Sequence, residues 1–489
     1  MRTPAADAFR AAVRIPNMLN NLFGEGVLSA AFITVYSKLR ATEQDEEAEH
    51  LAEVVFGILS VICAVLVLLG ITLAPLLTEL IVPGITGERR SLTIQLVRIL
   101  FPGTGLLVLS AWCLGVLNSH RQFLLSYLSP VAMNLTIIAG LILLGRNKSL
   151  DRLVIDLAWI YVLGSILQFL IQVPRVLQYL PYFRPALEIQ SRHVRTVIKN
   201  FGPVFLSRGV VQVSSTVDQM IASFLPEGAI AALGYGQVIS LLPISLFSMS
   251  VSAAELPALS SVTGTDEEVA AVLRNRLSSG LRRIAFFIIP SAAAFLLLGD
   301  VLTAALYQSG KFTHDDAVEV WLALGGSSVG LLASGLGRLY SSAFYALLDT
   351  RTPLRFALIR IALTITLGWV FALHVPHWLG LDPNWGIAGL TASAGLAGWV
   401  EFALLRRGLS RKIGEVSLPM SFSFKLWTVA FVAALSGYGC KMLFGTAYPR
   451  LLAALVVPLF GVIYFGGAAL LGVPESRTTI NSFLRRFRR

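Results

Sequence analysis

The 489-residue chain is short of charge, of cysteine and of any long polar stretch. Only 14% of its residues are charged against 55% hydrophobic, where a soluble chain carries roughly a quarter. The mean hydropathy is +0.73. Too few polar side chains remain to cover a water-soluble surface, whereas a lipid-facing surface can be apolar throughout. The three cysteines, Cys63, Cys113 and Cys440, lie far apart inside apolar runs, which excludes a disulfide framework or a zinc-ligand spacing. Clustered acidic loop motifs of the kind metal-dependent membrane transferases use are lacking too. The one close pair, Asp315-Asp316, reads more simply as a solvated helix cap. No metal, cofactor or catalytic residue is expected. The six histidines, His50, His120, His193, His314, His374 and His377, fall in or near loops, where solvation is the expectation.

What is present is a series of apolar runs. About 20 apolar residues cross a hydrocarbon core of about 30 Å. On that basis spans are expected near 6–37, 49–81, 92–117, 122–145, 152–179, 197–225, 229–260, 280–306, 317–347, 354–374, 385–405, 423–445 and 450–472. The fold class expected is an all-α polytopic membrane protein of about thirteen transmembrane helices, with short connections rich in Gly, Pro and charge. Net charge +11 does not mark a nucleic-acid surface, because the basic residues are spread between the spans. Alternate loops divide 23 basic residues against 7, and the positive-inside bias puts the C-terminal Arg-Arg-Phe-Arg-Arg in the cytoplasm.

An internal match recurs at an offset near 227. It pairs Pro16 with Pro243, Gly84 with Gly310, Gly105-Leu106-Leu107 with Gly330-Leu331-Leu332, and Arg121 with Arg351. The offset pairs spans one to five with spans seven to eleven and leaves the sixth without a partner. Carried back, residues 195–225 land at about −32 to −2, so the symmetry predicts a further helix before Met1. The expected organisation is an N-terminal lobe over 1–180 lacking its first helix and a C-terminal lobe over 195–410. Two additional helices over 420–475 and a basic cytoplasmic tail over 476–489 complete it. Repeated halves facing one another across a midplane site are the usual build of secondary transporters.

Intramembrane charge costs roughly 2.5 to 3.5 kcal/mol per central residue on insertion scales, so polar residues recurring on one helix face line water or a partner. In the first span Asp7, Arg10, Arg14, Asn17, Asn21 and Glu25 follow at steps of 3, 4, 3, 4 and 4, a single stripe. One reading makes it the wall of a hydrophilic cavity in which Arg10 and Arg14 meet phosphate or carboxylate. The other makes Asp7, Arg10 and Arg14 interfacial anchors and Asn17 and Asn21 interhelical glue. The sixth span repeats the pattern with Arg208, Gln212, Ser215 and Asp218 or Gln219, and Arg208 needs a counter-charge, for which Asp218 or an acidic group elsewhere is a candidate. The seventh continues with Gln237, Ser245, Ser248, Ser252 and Glu255, and Arg338 in the ninth is a similar case.

Asp7-Ala8-Phe9, Ile15-Pro16-Asn17, Phe23-Gly24-Glu25-Gly26 and Ala31-Phe32 resemble the signature of the MviN/MurJ family of lipid II flippases, within the multidrug and oligosaccharidyl-lipid exporter superfamily. Gly202-Pro203, Ala222-Ser223-Phe224-Leu225, Leu256-Pro257, Gly310-Lys311-Phe312-Thr313, Phe344-Tyr345 and Thr352-Pro353 match in order. The resemblance implies fourteen helices in two six-helix lobes around a cationic cavity, with the last two helices forming a groove for a polyprenyl tail. It implies a bacterial inner-membrane transporter that moves undecaprenyl-pyrophosphate-linked peptidoglycan precursor, with that lipid-linked glycan and membrane lipid as its partners. The matching family positions are Asp7, Asn17, Glu25, Gly310 to Thr313 and Arg338. The chain departs from the family at Asn20-Asn21, where an Arg-Arg pair is usual, and at Val238, where an arginine is usual. Those arginines are the expected pyrophosphate partners, and Arg14 and Arg10 lie about two and three turns before the first pair on the same helix. A flippase for another lipid-linked oligosaccharide, and a non-transporting scaffold of cell-wall synthesis, are the alternatives.

Overall fold

The computed structural model describes residues 4–24, 28–145, 149–188, 191–260, 265–347, 349, 351–445 and 448–479, and among these every regular element is helical. Helices prevail because a lipid-embedded backbone has no water to bond and must satisfy its own N–H and C=O groups. Among the described residues eleven helices are long and apolar enough to cross a membrane. The first and sixth expected spans are not among them. Both carry several charged and polar residues, which lower the mean hydropathy of their helices, so the count of thirteen rests on sequence periodicity.

By packing the chain divides at Gly228. The first unit holds α1 (Pro4–Phe23), a π-helical turn π1 (Ser29–Ile33), α2 (Thr34–Ala41), α3 (Asp45–Thr72), α4 (Ala74–Ile81), α5 (Gly87–Ser119), α6 (Phe123–Leu144), α7 (Leu150–Tyr179) and α8 (Arg192–Ala222). Helix α5 is its centre and packs on α1, α3 and α7. Phe56, Trp112 and Phe183 close one end of the core with ring centroids 4.7 to 5.7 Å apart. Mid-core, the fully buried Gln172 amide donates to Ser110 Oγ at 2.6 Å and to Ser129 Oγ at 2.9 Å, tying α5, α6 and α7 together. Helix α8 packs against α1, π1, α3 and α4, whereas the duplication groups residues 195–225 with the second half. The two divisions differ because the polar face of α8 meets the polar face of α1, and Ser223 Oγ accepts the Gly84 N–H at 3.0 Å.

The second unit holds α9 (Ala229–Pro243), π2 (Ile244–Met249), α10 (Ser250–Ser260), α11 (Asp266–Tyr307), α12 (His314–Ala346), α13 (Arg351–Trp369), π3 (Val370–His374), α14 (Val375–Trp378), α15 (Trp385–Ile413), α16 (Met420–Phe444) and α17 (Pro449–Leu470). Helix α12 starts from a capping box, with Thr313 Oγ1 accepting the Asp316 N–H and the Asp316 carboxylate accepting the Thr313 N–H. The Asp315-Asp316 pair thus holds a helix cap, but Asp316 is buried rather than solvated. Helices α12 and α15 cross with backbone in contact: a Cβ on Gly330 would lie 2.3 Å from Gly395 Cα, and one on Gly326 2.3 Å from the Ala388 carbonyl oxygen. Gly326 and Gly330 form a small-residue pair at i, i+4, the spacing that lets membrane helices approach closely.

The hairpin of α16 and α17 is docked along α11. Tyr464 donates to the Phe286 carbonyl at 2.6 Å, Arg282 pairs with Glu475 at 2.7 Å while lying over Phe422, and Lys441 pairs with Asp300 at 2.5 Å. Cys63, Cys113 and Cys440 are free thiols.

His120, expected to be solvated, is not. It follows α5 directly, stacks on Tyr179 with centroids 3.9 Å apart, and shares a 3.0 Å hydrogen bond with the Tyr36 hydroxyl. Burial, and next the nearby Arg40, push its pKa down to about 4, against an opposing pull from Asp45. The unfolded chain binds that proton near pH 6.5, so the stability this contact adds is complete above pH 6.5 and is lost as pH falls through 4.

Thermal unfolding in detergent is expected to show Tm falling between pH 7 and pH 4.5, and His120→Gln should flatten that fall by on the order of a few °C. Gly330→Leu is expected to destabilise the protein by about 3 kcal/mol or more, because backbone occupies the space a side chain needs. Gly439→Leu, where nothing lies within 4 Å, should be neutral in the same denaturation assay.

Candidate functional site

The polar stripe of α1 folds as one face because its residues recur at helical spacing, and within the first unit much of it meets partners. Asp7 is buried and accepts the Gly228 N–H at 2.7 Å. Arg89 reaches Asp7 at 3.8 Å and Glu227 at 3.6 Å. Gly228 sits at φ +95°, a backbone state glycine adopts without strain. Asp7 therefore pins the segment after α8 onto the start of α1.

Deeper along α1, Arg14 is half-buried, and the carboxylate of Asp218 on α8 lies within its electrostatic reach. Asp218 is a candidate counter-charge for Arg208, whose side chain lies outside the described residues, and among the described charges Arg14 lies in its field. Asn17 Oδ1 accepts from the Tyr161 hydroxyl of α7 at 3.1 Å, and Asn21 donates to Gln212 Oε1 of α8 at 3.1 Å. Arg10 is half-buried on the same helix, and Glu25 lies outside the described residues. Asp7, Arg14, Asn17, Asn21, Gln212 and Asp218 thus come together along α1, α7 and α8.

Two side-chain groups at this seam keep hydrogen-bonding capacity. The Arg14 Nε is buried without a partner, and Gln219, 8% exposed, has neither amide atom paired. A guanidinium N–H and an amide that donates and accepts can hold an anionic or hydroxylated head group.

Gln237 and Arg338 belong to the second unit. Gln237 is exposed on α9, and Ser248 and Ser252, which follow on π2 and α10, are buried with unpaired hydroxyls. Arg338 on α12 lies in the field of an ion pair between Arg360 of α13 and Glu401 of α15, whose closest atoms are 3.1 Å apart. The sequence reading found Arg338 and missed Arg360 and Glu401; Glu401 is the one Asp, Glu, Lys or Arg in its span over 385–405, and Arg360 shares the span over 354–374 with Arg355. Tyr161 and Gln219 were also left out of the site. The i, i+4 pair Gln168 and Gln172 on α7 was the available signal for polar residues facing α5. Among the described residues no group of His, Cys, Asp and Glu is arranged to hold a metal.

Asp7→Ala leaves the buried Gly228 N–H without its acceptor and takes one of two carboxylates from Arg89, and is expected to cost about 2 to 3 kcal/mol. Gln212→Ala removes one interhelical bond, and its cost should be near the average of about 0.6 kcal/mol for such bonds in membranes. Reversible unfolding in mixed micelles ranks the two, and an equal cost would contradict the assignment of Asp7 as the anchor.

Comparison with known proteins follows the fold across nearly the whole chain. The family model described as Lipid II flippase MurJ matches residues 2–457. The lipid II flippase MurJ of Burkholderia cenocepacia is 28% identical over 484 residues, covering 95% of this chain and 90% of that protein. A solved structure of lipid II flippase MurJ in an inward closed conformation superposes with a TM-score of 0.79 at 24% identity, over 96% of this chain and 93% of that one. An inward-facing multidrug resistance transporter of the MATE family shares the fold more loosely, with a TM-score of 0.62 at 18% identity over 84% of this chain and 95% of that one. With its family model spanning residues 2–457, the chain belongs to the lipid II flippase MurJ family.

Proposed function

We propose that this protein is a lipid II flippase, a transporter rather than an enzyme. It carries undecaprenyl-pyrophosphate-linked peptidoglycan precursor across the bacterial inner membrane by alternating access, with its C-terminus in the cytoplasm. The match of the lipid II flippase model to residues 2–457 carries this reading. The relatives it resembles are bacterial, and eleven helices suit a membrane-embedded transporter.

The chemistry of the α1 and α8 seam supports it. A pyrophosphate needs cationic donors in a place where water does not compete, and Arg10 and Arg14 are the cations on α1. Gln212 and Gln219 supply neutral hydrogen-bonding groups for sugar or peptide. Asp218 balances Arg14 when cargo is absent, so binding exchanges one anion for another instead of burying a new charge.

A second reading, a different lipid-linked oligosaccharide as cargo, is favoured by one observation. Asn20 and Asn21 stand where the resemblance expects arginines, and the amide of Asn21 is spent on Gln212. A head group recognised through fewer charges fits that position.

Complementation separates the readings. In bacteria depleted of their own lipid II flippase this chain is expected to restore growth, and Arg10→Ala with Arg14→Ala should abolish rescue while the protein remains in the membrane. For Arg14→Ala alone, loss of a charge-assisted bond corresponds to a fall in flipping of about tenfold or more. No rescue by the parent chain, with rescue appearing in Asn21→Arg and Val238→Arg together, would favour the second cargo. Rescue that survives both alanine substitutions would favour a scaffold.

A further inference from the structure

A separate feature of the first unit stands away from the α1 and α8 seam. Ser91, Gln95 and Arg98 follow one another along one side of α5 and open into a cleft of about 540 Å³, whose other walls include Pro75 of α4, Ile94 of α5 and Trp159 of α7. Arg98 reaches the end of α3, where its Nε donates to the Ile71 carbonyl at 3.3 Å. That bond uses one of five guanidinium N–H groups.

The neighbouring arginines of α5 are neutralised: Arg89 by Asp7 and Glu227, and Arg90 by Glu79 at 2.7 Å. Arg98 has no carboxylate within 4 Å among the described residues. Among the described residues its charge has no ion-pair partner. The flank is apolar and open, with Leu73, Leu76, Trp159 and Leu163 all exposed. In a membrane protein, exposed apolar side chains of this kind meet acyl chains. Tryptophan is at home at the level where acyl chain gives way to head group.

We propose that this cleft binds a glycerophospholipid of the surrounding membrane. Its phosphate sits on the free N–H groups of Arg98, its head-group oxygens on Gln95 and Ser91, and an acyl chain runs along Leu73, Leu76 and Trp159. The chemistry required is that of a phosphodiester joined to a hydrocarbon chain. A cation at the end of α3 also completes the carbonyls left open there, so the bound lipid closes a charge balance that the protein leaves open by one. The site does not depend on which lipid-linked glycan the protein moves.

The test is native mass spectrometry of the full chain in detergent, titrated with palmitoyl-oleoyl phosphatidylglycerol. One tightly held lipid is expected. Arg98→Gln should weaken it about tenfold, Arg98→Lys should retain most of the binding, and Lys425→Gln in the second unit should leave it unchanged. Palmitoyl-oleoyl glycerol, which lacks the phosphate, should not bind, and inorganic phosphate should not displace the phospholipid. Phosphatidylglycerol with a brominated chain should quench the fluorescence of the parent protein more than that of Trp159→Phe. Equal lipid retention in the parent and Arg98→Gln would overturn the proposal, as would equal binding of the phosphate-free glyceride, displacement by inorganic phosphate, or equal quenching in both proteins.

Discussion

The constraint on which the structure depends is that a bilayer interior offers no hydrogen-bonding partner. Backbone that crosses the membrane is therefore helical, and every polar side chain carried into the membrane has to find a partner on a neighbouring helix or line a place that water or cargo fills. Asp7 on the Gly228 amide, Asn17 on Tyr161, Asn21 on Gln212 and Gln172 on two serines are solutions of the first kind. The unpaired Nε of Arg14, the unpaired amide of Gln219 and the uncompensated charge of Arg98 belong to the second.

That constraint also assigns α8. A helix bearing Gln212, Asp218 and Gln219 inside a membrane has to place them against other polar groups, and α1 carries a stripe of the same pitch. The pairing of two charged helices in the first unit is electrostatic economy, since Arg14 and Asp218 each lower the cost of burying the other. Packing in the second unit obeys different rules. There α12 and α15 meet at glycines, and three polar contacts fix the α16 and α17 hairpin to α11. Both devices are needed because association between helices in lipid gains nothing from apolar burial alone.

The membrane class, the all-helical fold, the family and the polar stripe of α1 were legible in the sequence. Each is written in local composition or in a period, such as the steps of 3 and 4 from Asp7 to Glu25. The partners were not legible. Asp218 looked equally suited to Arg208, and nothing in the local pattern points it at Arg14. His120 looked like a loop residue, and only the convergence of α2, α5 and α7 on it makes it a half-buried ring whose pKa is pushed down. The count of crossing helices stayed ambiguous at the first and sixth spans, where charge lowers the hydropathy on which such a count depends.

The sequence by itself determined that this protein lives in a membrane, that its spans are helices and that it belongs with the lipid II flippases, because hydropathy, helical pitch and ordered motifs are properties of neighbouring residues. Only the tertiary structure decided which polar groups are spent on holding helices together and which remain available. Hydrogen-bond satisfaction is a property of pairs that lie far apart in the chain. Asn21 and Gln212, 191 residues apart, are bonded because two helices fold face to face.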